Sequence, residues 1–202
     1  MSPLSRTLFL LPALVFAQDL PKPATTGGMP LMDALARRQS IRAFSQRELP
    51  PQVLSNLLWA AWGVNRPSSG QRTAPSAHNH QPIDLYVITA GGAFLYDARA
   101  HRLVPAATGD LRRLAGRQDF VYTAPLNLIY VEDTARSGQE AQSAVWSGVT
   151  AGAIAQNVYL FCASEGLATV VRGWVDPEPL AKALALKPTQ RVILAQTVGY
   201  PK

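Results

Sequence analysis

Two short runs in this chain hold side chains able to grip a phosphate or the edge of a polar ring. The first is Arg37-Arg38-Gln39-Ser40-Ile41-Arg42-Ala43-Phe44, where a helical pattern gives way to extended chain. Arg38 and Arg42, with the Ser40 hydroxyl between them, can converge on one phosphate through charge-assisted hydrogen bonds. The same residue types also suit a solvated basic helix end, which the helix dipole favours. The second run is Arg72-Thr73-Ala74-Pro75-Ser76-Ala77-His78-Asn79-His80-Gln81-Pro82. Pro75 and Pro82 stiffen its backbone. Between them Ser76, Asn79 and Gln81 offer hydroxyl and amide groups that both donate and accept. A heterocycle edged with carbonyls and N–H groups, such as an isoalloxazine, needs that mixture, although a polar surface loop would carry it too.

Other chemistries find little support. His78-x-His80 has metal-like residue types but no carboxylate or cysteine at useful spacing. No Gly-x-Gly-x-x-Gly follows a strand, and no Gly-x-Ser-x-Gly elbow is present. The single cysteine, Cys162, lies in an apolar helical stretch and reads as a buried, inert thiol.

The elements that must position these runs follow from periodicity and punctuation. Helical spacing predicts a short helix over 31–38, and Pro50-Pro51 opens a second that stops at Gly63. Residues 64–82 form a long loop rich in glycine, proline and serine, of the kind that is functional or disordered. Strands are expected over 84–89, 93–96 and 102–105, then short helices over 110–115 and 118–121. A buried strand follows over 127–131, and the longest helix over 139–165, closed by Gly166. A strand over 168–171, a helix over 177–184 and a strand over 191–198 complete the chain. Hairpins mixed with helices, without regular strand–helix alternation, argue for an α+β fold. In the longest helix Gly148, Gly152 and Ala155 share one face, where another helix or a flat ring can approach.

Composition agrees with one globular domain: 202 residues, 48% hydrophobic and 16% charged. The net charge of +6 comes from scattered arginines, with no basic stripe of a nucleic-acid binder. Scattered guanidinium forks suit small anionic ligands equally well. At the start, Arg6, the apolar run 8–16 and small residues ending at Ala17 have the layout of a secretory signal. Residues 1–17 are therefore expected to be removed, 18–30 to be an extended linker, and 31–202 to form the domain. The mature protein is expected in the periplasm or secreted, without stable membrane insertion.

Taken together, Arg-x-Ser-x-Arg-x-Phe followed by Pro-Ser-x-x-Asn-x-Gln-Pro resembles the nitroreductase family of FMN enzymes. Gly166-Leu167-Ala168-Thr169-Val170-Val171-Arg172-Gly173 and the closing Gly199-Tyr200-Pro201 extend that resemblance over the whole mature chain. It implies a three-layer sandwich, a central, mainly antiparallel sheet flanked by helices. It implies FMN as cofactor and flavin N5 as the reacting atom, so no catalytic side chain is assigned. Arg38, Gln39, Ser40 and Arg42 match positions at the phosphate and ribityl chain, and Pro75, Ser76, Asn79 and Gln81 match the ring segment. Val171, Arg172 and Gly173 match the strand whose backbone approaches N5. Family members generally continue past Gly-Tyr-Pro with basic residues that complete the phosphate site; here either Lys202 takes that part or the site is weaker than usual. Arg172 stands where an acidic or neutral residue is usual, so its guanidinium is expected either above the ring edge or in a surface salt bridge.

The implied activity is ping-pong hydride transfer between a small-molecule donor and a flat, electron-poor acceptor such as a quinone or nitroaromatic, in a homodimer. Trp62, Phe120 and Trp174 are candidates to line the cleft or to pack in the core. Export would remove the enzyme from cytoplasmic nicotinamide donors. Two alternatives stay open. The run from Arg72, with Leu95-Tyr96-Asp97 and His101-Arg102-Leu103, is similar to the branch that oxidises azolines in modified peptides. A non-catalytic flavin-binding protein would use the same phosphate site.

Overall fold

The computed structural model describes residues 17–138 and 142–202. The expected signal, apart from Ala17, lies outside the described residues, as do 139–141. In chain order the elements are β1 (Gln18–Asp19), α1 (Leu31–Arg37), α2 (Pro51–Trp62), β2 (Val64–Arg66), β3 (Gln71–Arg72), β4 (Ile83–Thr89), β5 (Gly92–Asp97) and β6 (Arg102–Thr108). There follow α3 (Asp119–Thr123), β7 (Leu126–Asp133), α4 (Ser143–Glu165), β8 (Ala168–Arg172), α5 (Pro177–Ala183) and β9 (Gln190–Gly199).

Seven strands form one sheet in the order β1-β6-β5-β4-β7-β9-β8, and every pairing in it is antiparallel. Successive side chains of a strand point to opposite faces, and the central strands bury both. Leu85 and Val87 of β4, with Leu128 and Tyr130 of β7, pack with Leu57, Leu58 and Trp62 of α2 and Ile154 and Val158 of α4. Their neighbours Tyr86, Ile88, Ile129 and Val131 pack instead with Val121 of α3 and Leu180 and Leu184 at α5. The result is helix–sheet–helix layering, the expected α+β sandwich.

Local chemistry sets the boundaries. Pro51 occupies the first turn of α2, where its missing N–H costs nothing. Gly166 ends α4 with a left-handed φ of 68° that a side chain would disfavour. β6 runs past its expected end at Pro105 to Thr108 because a register shift between Ala93 and Phe94 of β5 accommodates the proline. The expected helix over 110–115 shrinks to a 3-10 turn at Arg112–Leu114.

The segment 18–30 is extended, as its prolines require, but it is stitched down rather than free. Gln18 and Asp19 pair with β6, the Ala24 amide donates to Asn56 Oδ1 at 2.9 Å, and the Met29 amide donates to Ser164 Oγ at 2.8 Å. A clasp holds its middle. Ser55 Oγ donates to the Pro21 carbonyl at 2.5 Å and lies 2.8 Å from His101 Nε2, while Tyr96 Oη lies 2.9 Å from His101 Nδ1. With Ser55 donating to Pro21, His101 Nε2 carries the proton and Tyr96 donates to Nδ1. Among the described residues no helix is long and apolar enough to cross a membrane.

Candidate functional site

The segment after α1 is guided by two strands. The Ile41 amide donates to the Thr169 carbonyl of β8 at 3.0 Å, and the Lys202 amide donates to the Ala43 carbonyl at 3.2 Å. Phe44 bridges Pro201 in antiparallel fashion, which sets Ala43 opposite Lys202. Gln39, Ser40, Arg42 and Lys202 are all exposed along this seam, and Arg38 is half-buried.

At the centre of this group stands Tyr159 of α4, which no motif identified. Its hydroxyl lies 2.8 Å from Ser40 Oγ and accepts from the Val171 amide at 2.9 Å. The Arg38 guanidinium sits over its ring, 5.1 Å from the centroid. A tyrosine in an apolar helix looks like core from sequence. The signal that was available is its hydroxyl, which when buried needs a partner. A cavity of about 420 Å3 opens here, lined in part by Arg37, Arg38, Gln39, Tyr159, Thr169 and Pro201. Another of about 410 Å3, between the stitched segment 24–29, α2 and α4, contains none of the expected site residues.

The second run forms a separate cluster. After β2 and β3 pair as a short ribbon, the chain turns through a 3-10 segment at Ala77–Asn79. His78, Asn79 and Gln81 take positive φ of 50°, 56° and 51°, a sparsely populated conformation for non-glycine residues that gathers at functional loops. Gln81 pins this loop. Its Nε2 donates to Gly70 O and to Asn79 Oδ1, each at 2.9 Å, and its amide donates to Ser76 Oγ at 3.1 Å. Arg72 Nε donates to Gln81 Oε1 at 2.7 Å, and Arg72 Nη1 to the Trp62 carbonyl at 3.0 Å. Burial lowers the Arg72 pKa to about 10. Gln81 thus shapes the loop with its side chain, leaving exposed Asn79 and half-buried Ser76 to face a ligand. Pro75 is exposed at the loop's start.

The two clusters sit at different ends of α4. A Cβ built on Gly138 would lie 3.0 Å from His80 Cε1, and Ser137 Oγ lies 3.2 Å from Ser147 Oγ on α4. Twelve residues separate Ser147 from Tyr159, roughly 18 Å of helix at the α-helical rise. No hydrogen bond among the described residues joins the clusters.

Arg172 requires correction on both expectations for its side chain. It points neither above a ring nor into a surface ion pair: it is 5% exposed and donates to Thr197 Oγ1, Ala115 O and Asn127 Oδ1 at 3.0, 2.9 and 3.1 Å. Three neutral oxygens hold the cation, and burial lowers its pKa to about 10. A Cβ on Gly116 would overlap Arg172 Nη1, so the cage closes because that neighbour is glycine. Successive side chains take opposite faces of the sheet, so Arg172 turns to the face opposite Val171, where Ala115 lies; in the plane of the sheet the backbone alternates as well. Val171 faces its N–H outward to Tyr159, so Arg172 points its own toward β9 and Gly173 is next to face out. Gly173 is exposed, half-buried Val171 lies beside Tyr159, and the Gly173 N–H has no hydrogen-bond partner among the described residues.

The aromatic candidates divide. Trp62 is core, its indole donating to Ile83 O at 2.9 Å. Phe120 packs on Phe44, ring centroids 5.5 Å apart, and Trp174 is 60% exposed. Cys162 is buried, which pushes its thiol pKa up. Among the described residues no group of three or more histidine, cysteine, aspartate or glutamate side chains could hold a metal.

Three comparisons bear on this arrangement. The sequence pattern of the nitroreductase family matches residues 35–200. A protein of Methanocaldococcus jannaschii named as a "putative nitroreductase" is 32% identical over 171 residues, 78% of this chain and 85% of that protein. The crystal structure of a Ralstonia eutropha protein carrying the same designation superposes with a TM-score of 0.88 at 44% identity, covering 92% of this chain and 90% of that one. A chain of the Escherichia coli microcin synthetase complex, with truncated pro-microcin bound, shares the fold at 18% identity and a TM-score of 0.71, over 91% of this chain and 77% of that one.

Proposed function

This chain belongs to the nitroreductase family and is an oxidoreductase, and from that premise we propose that it works with FMN as a homodimer. The observation that carries the reading is the gathering of Arg38, Ser40, Arg42 and Lys202 along one seam beside the edge of β8. Three cations and a hydroxyl fit a phosphate monoester. The outward N–H at Gly173 and the amide-bearing loop at Asn79 fit the edge of a polar ring. Bound FMN would supply two-electron chemistry at N5, in a ping-pong exchange between a small-molecule donor and a flat, electron-poor acceptor such as a quinone or nitroaromatic.

The protein's own residues have three tasks. Arg38, Arg42 and Lys202 neutralise the phosphate, with Ser40 donating to it and Gln39 walling the cavity beside it. Val171, Arg172 and Gly173 present a rigid backbone edge, because Arg172 fixes the strand from its buried face. Pro75, Ser76, Asn79 and Gln81 supply the ring-facing loop from the other end of α4.

A two-fold pairing brings these ends together, setting the Asn79 loop of one subunit beside the Arg38 seam of its partner. The surface for it exists on α4, where exposed Val145, Gly148, Val149 and Gly152 follow helical spacing on one face. Leu31, Met32 and Leu35 of α1 add exposed apolar side chains, 62%, 73% and 43% accessible. Export completes the reading, with maturation after Ala17 to be checked by sequencing the N-terminus of the secreted or periplasmic protein.

The test is an absorption spectrum of the mature chain after dialysis against FMN, with mass measured by light scattering. Stoichiometric flavin in a dimer, weakened at least about tenfold by Arg38→Ala or Arg42→Ala as expected for a lost charged hydrogen bond, supports the proposal. A colourless chain after reconstitution overturns it.

A further inference from the structure

Tyr159 belongs to none of the motifs that mark the site, yet it ties two of them together. We propose that Tyr159 is a positioning residue for the phosphate end of the site, fixing Ser40 as a hydrogen-bond donor and seating Arg38, and joining both to β8. The inference rests on the FMN reading above.

Proton counting sets the direction of the chain. The Val171 N–H donates to Tyr159 Oη at 2.9 Å, and the phenol has one proton of its own to place. Ser40 Oγ, 2.8 Å away, is the acceptor within reach. Tyr159 is 7% exposed, and a buried O–H without an acceptor is costly to keep. With Tyr159 donating to it, Ser40 has its own proton left for an outside acceptor. The relay Val171 N–H to Tyr159 O–H to Ser40 O–H therefore ends on a directed donor, each bond polarising the next. The ring contributes separately, since Arg38 lies 5.1 Å from its centroid, a cation–π distance that restricts a long side chain.

The relay also sets the spacing between the two ends of a bound ligand. Along the outward edge of β8 the Thr169 carbonyl is taken by Ile41 and the Val171 N–H by Tyr159. Gly173, two residues on, is the next outward donor. Ser40 is thus connected to that strand through one rigid aromatic side chain instead of a loop.

The experiment compares FMN with riboflavin, which lacks the phosphate, on the full mature chain. Tyr159→Phe keeps the ring and removes the hydroxyl. It is expected to weaken FMN about tenfold, the loss of one charge-assisted hydrogen bond, and riboflavin less than about twofold. Ser40→Ala should weaken FMN equally, and the double variant no further, because both act through one donor. Equal losses for FMN and riboflavin, or losses that multiply in the double variant, would overturn the relay. Wild-type chain that binds no FMN sinks the cofactor reading and this inference together. Wild type that binds FMN alongside an unaffected Tyr159→Phe sinks the relay alone. Amide exchange on the wild type needs no variant. Val171 should be protected both without and with FMN, and loss of its protection on FMN binding would mean that Tyr159 is displaced, against the proposal.

Discussion

The two ends of α4 prepare their polar groups by opposite means. At the Tyr159 end the backbone is ordinary, and direction comes from a side-chain relay through a buried phenol. At the other end direction comes from His78, Asn79 and Gln81 in the left-handed region, in a loop held by the Gln81 side chain and the half-buried Arg72. A relay links binding to stability weakly, through one bond from the buried Tyr159 phenol to the exposed Ser40. A pinned loop couples the two, because the groups that shape it also satisfy buried partners.

The largest expected effect strikes beneath the relay. Arg172→Met removes three charge-assisted hydrogen bonds and leaves the Ala115 carbonyl without its donor, while Thr197 and Asn127 keep each other; it should lower unfolding free energy by about 3 kcal/mol or more, read from the denaturant midpoint. Lysine should recover little, since a point charge cannot reach three acceptors. A loss below about 1 kcal/mol would mean that water serves the cage as well as the guanidinium does. Next comes Gln81→Leu, expected to cost about 2 kcal/mol and to weaken FMN in step, by loosening Arg72 and Asn79 at once. Were affinity to fall with stability intact, the loop would not be pinned as described. Ser40→Ala is the counterpart: it leaves the buried Tyr159 hydroxyl without its acceptor and should cost about 1 kcal/mol, less than Gln81→Leu, while FMN affinity falls.

The smallest effect concerns the stitched segment, whose Met29 anchors on Ser164 near the Tyr159 end of α4. Burial lowers the His101 pKa from its ordinary 6.5, opposed by its contact with Pro21. Because the unfolded chain then binds the proton more readily, the clasp contributes fully above pH 6.5. Its contribution is lost as pH falls through the lowered folded value. Limited proteolysis should cut 18–30 faster at pH 5 than at pH 8, and His101→Asn should flatten that difference. A pH-independent cutting rate would show that β1 and Met29 hold the segment without the clasp.

The element order was legible because both signals behind it are local. Prolines and glycines mark helix ends, as at Pro51 and Gly166, and long apolar runs mark strands covered on both faces, as in β4 and β7. Ser40, Arg42 and Lys202 were legible as neighbours through motif order. What failed was side-chain direction. Whether Arg172 faces out or in depends on strand register, and the cage that receives it draws on Ala115 and Asn127, 57 and 45 positions upstream, and on Thr197, 25 positions downstream, separations over which pattern reading carries no information. Actual contacts for Arg72, Gln81 and Tyr159 escaped for the same reason. The stitching of 18–30 was hidden by its prolines, which predict extension and say nothing of what an extended chain lies against.

The borders of the sheet carry a consequence for behaviour in concentrated solution. Unpaired strand edges recruit other chains and seed aggregation. On one side the border is β1, two residues long. On the other, Ile41 already holds the outward carbonyl of Thr169 and Tyr159 the outward N–H of Val171. A foreign strand would have to break both bonds before it could dock, so β8 can leave one donor open at Gly173 without becoming a nucleus for polymerisation.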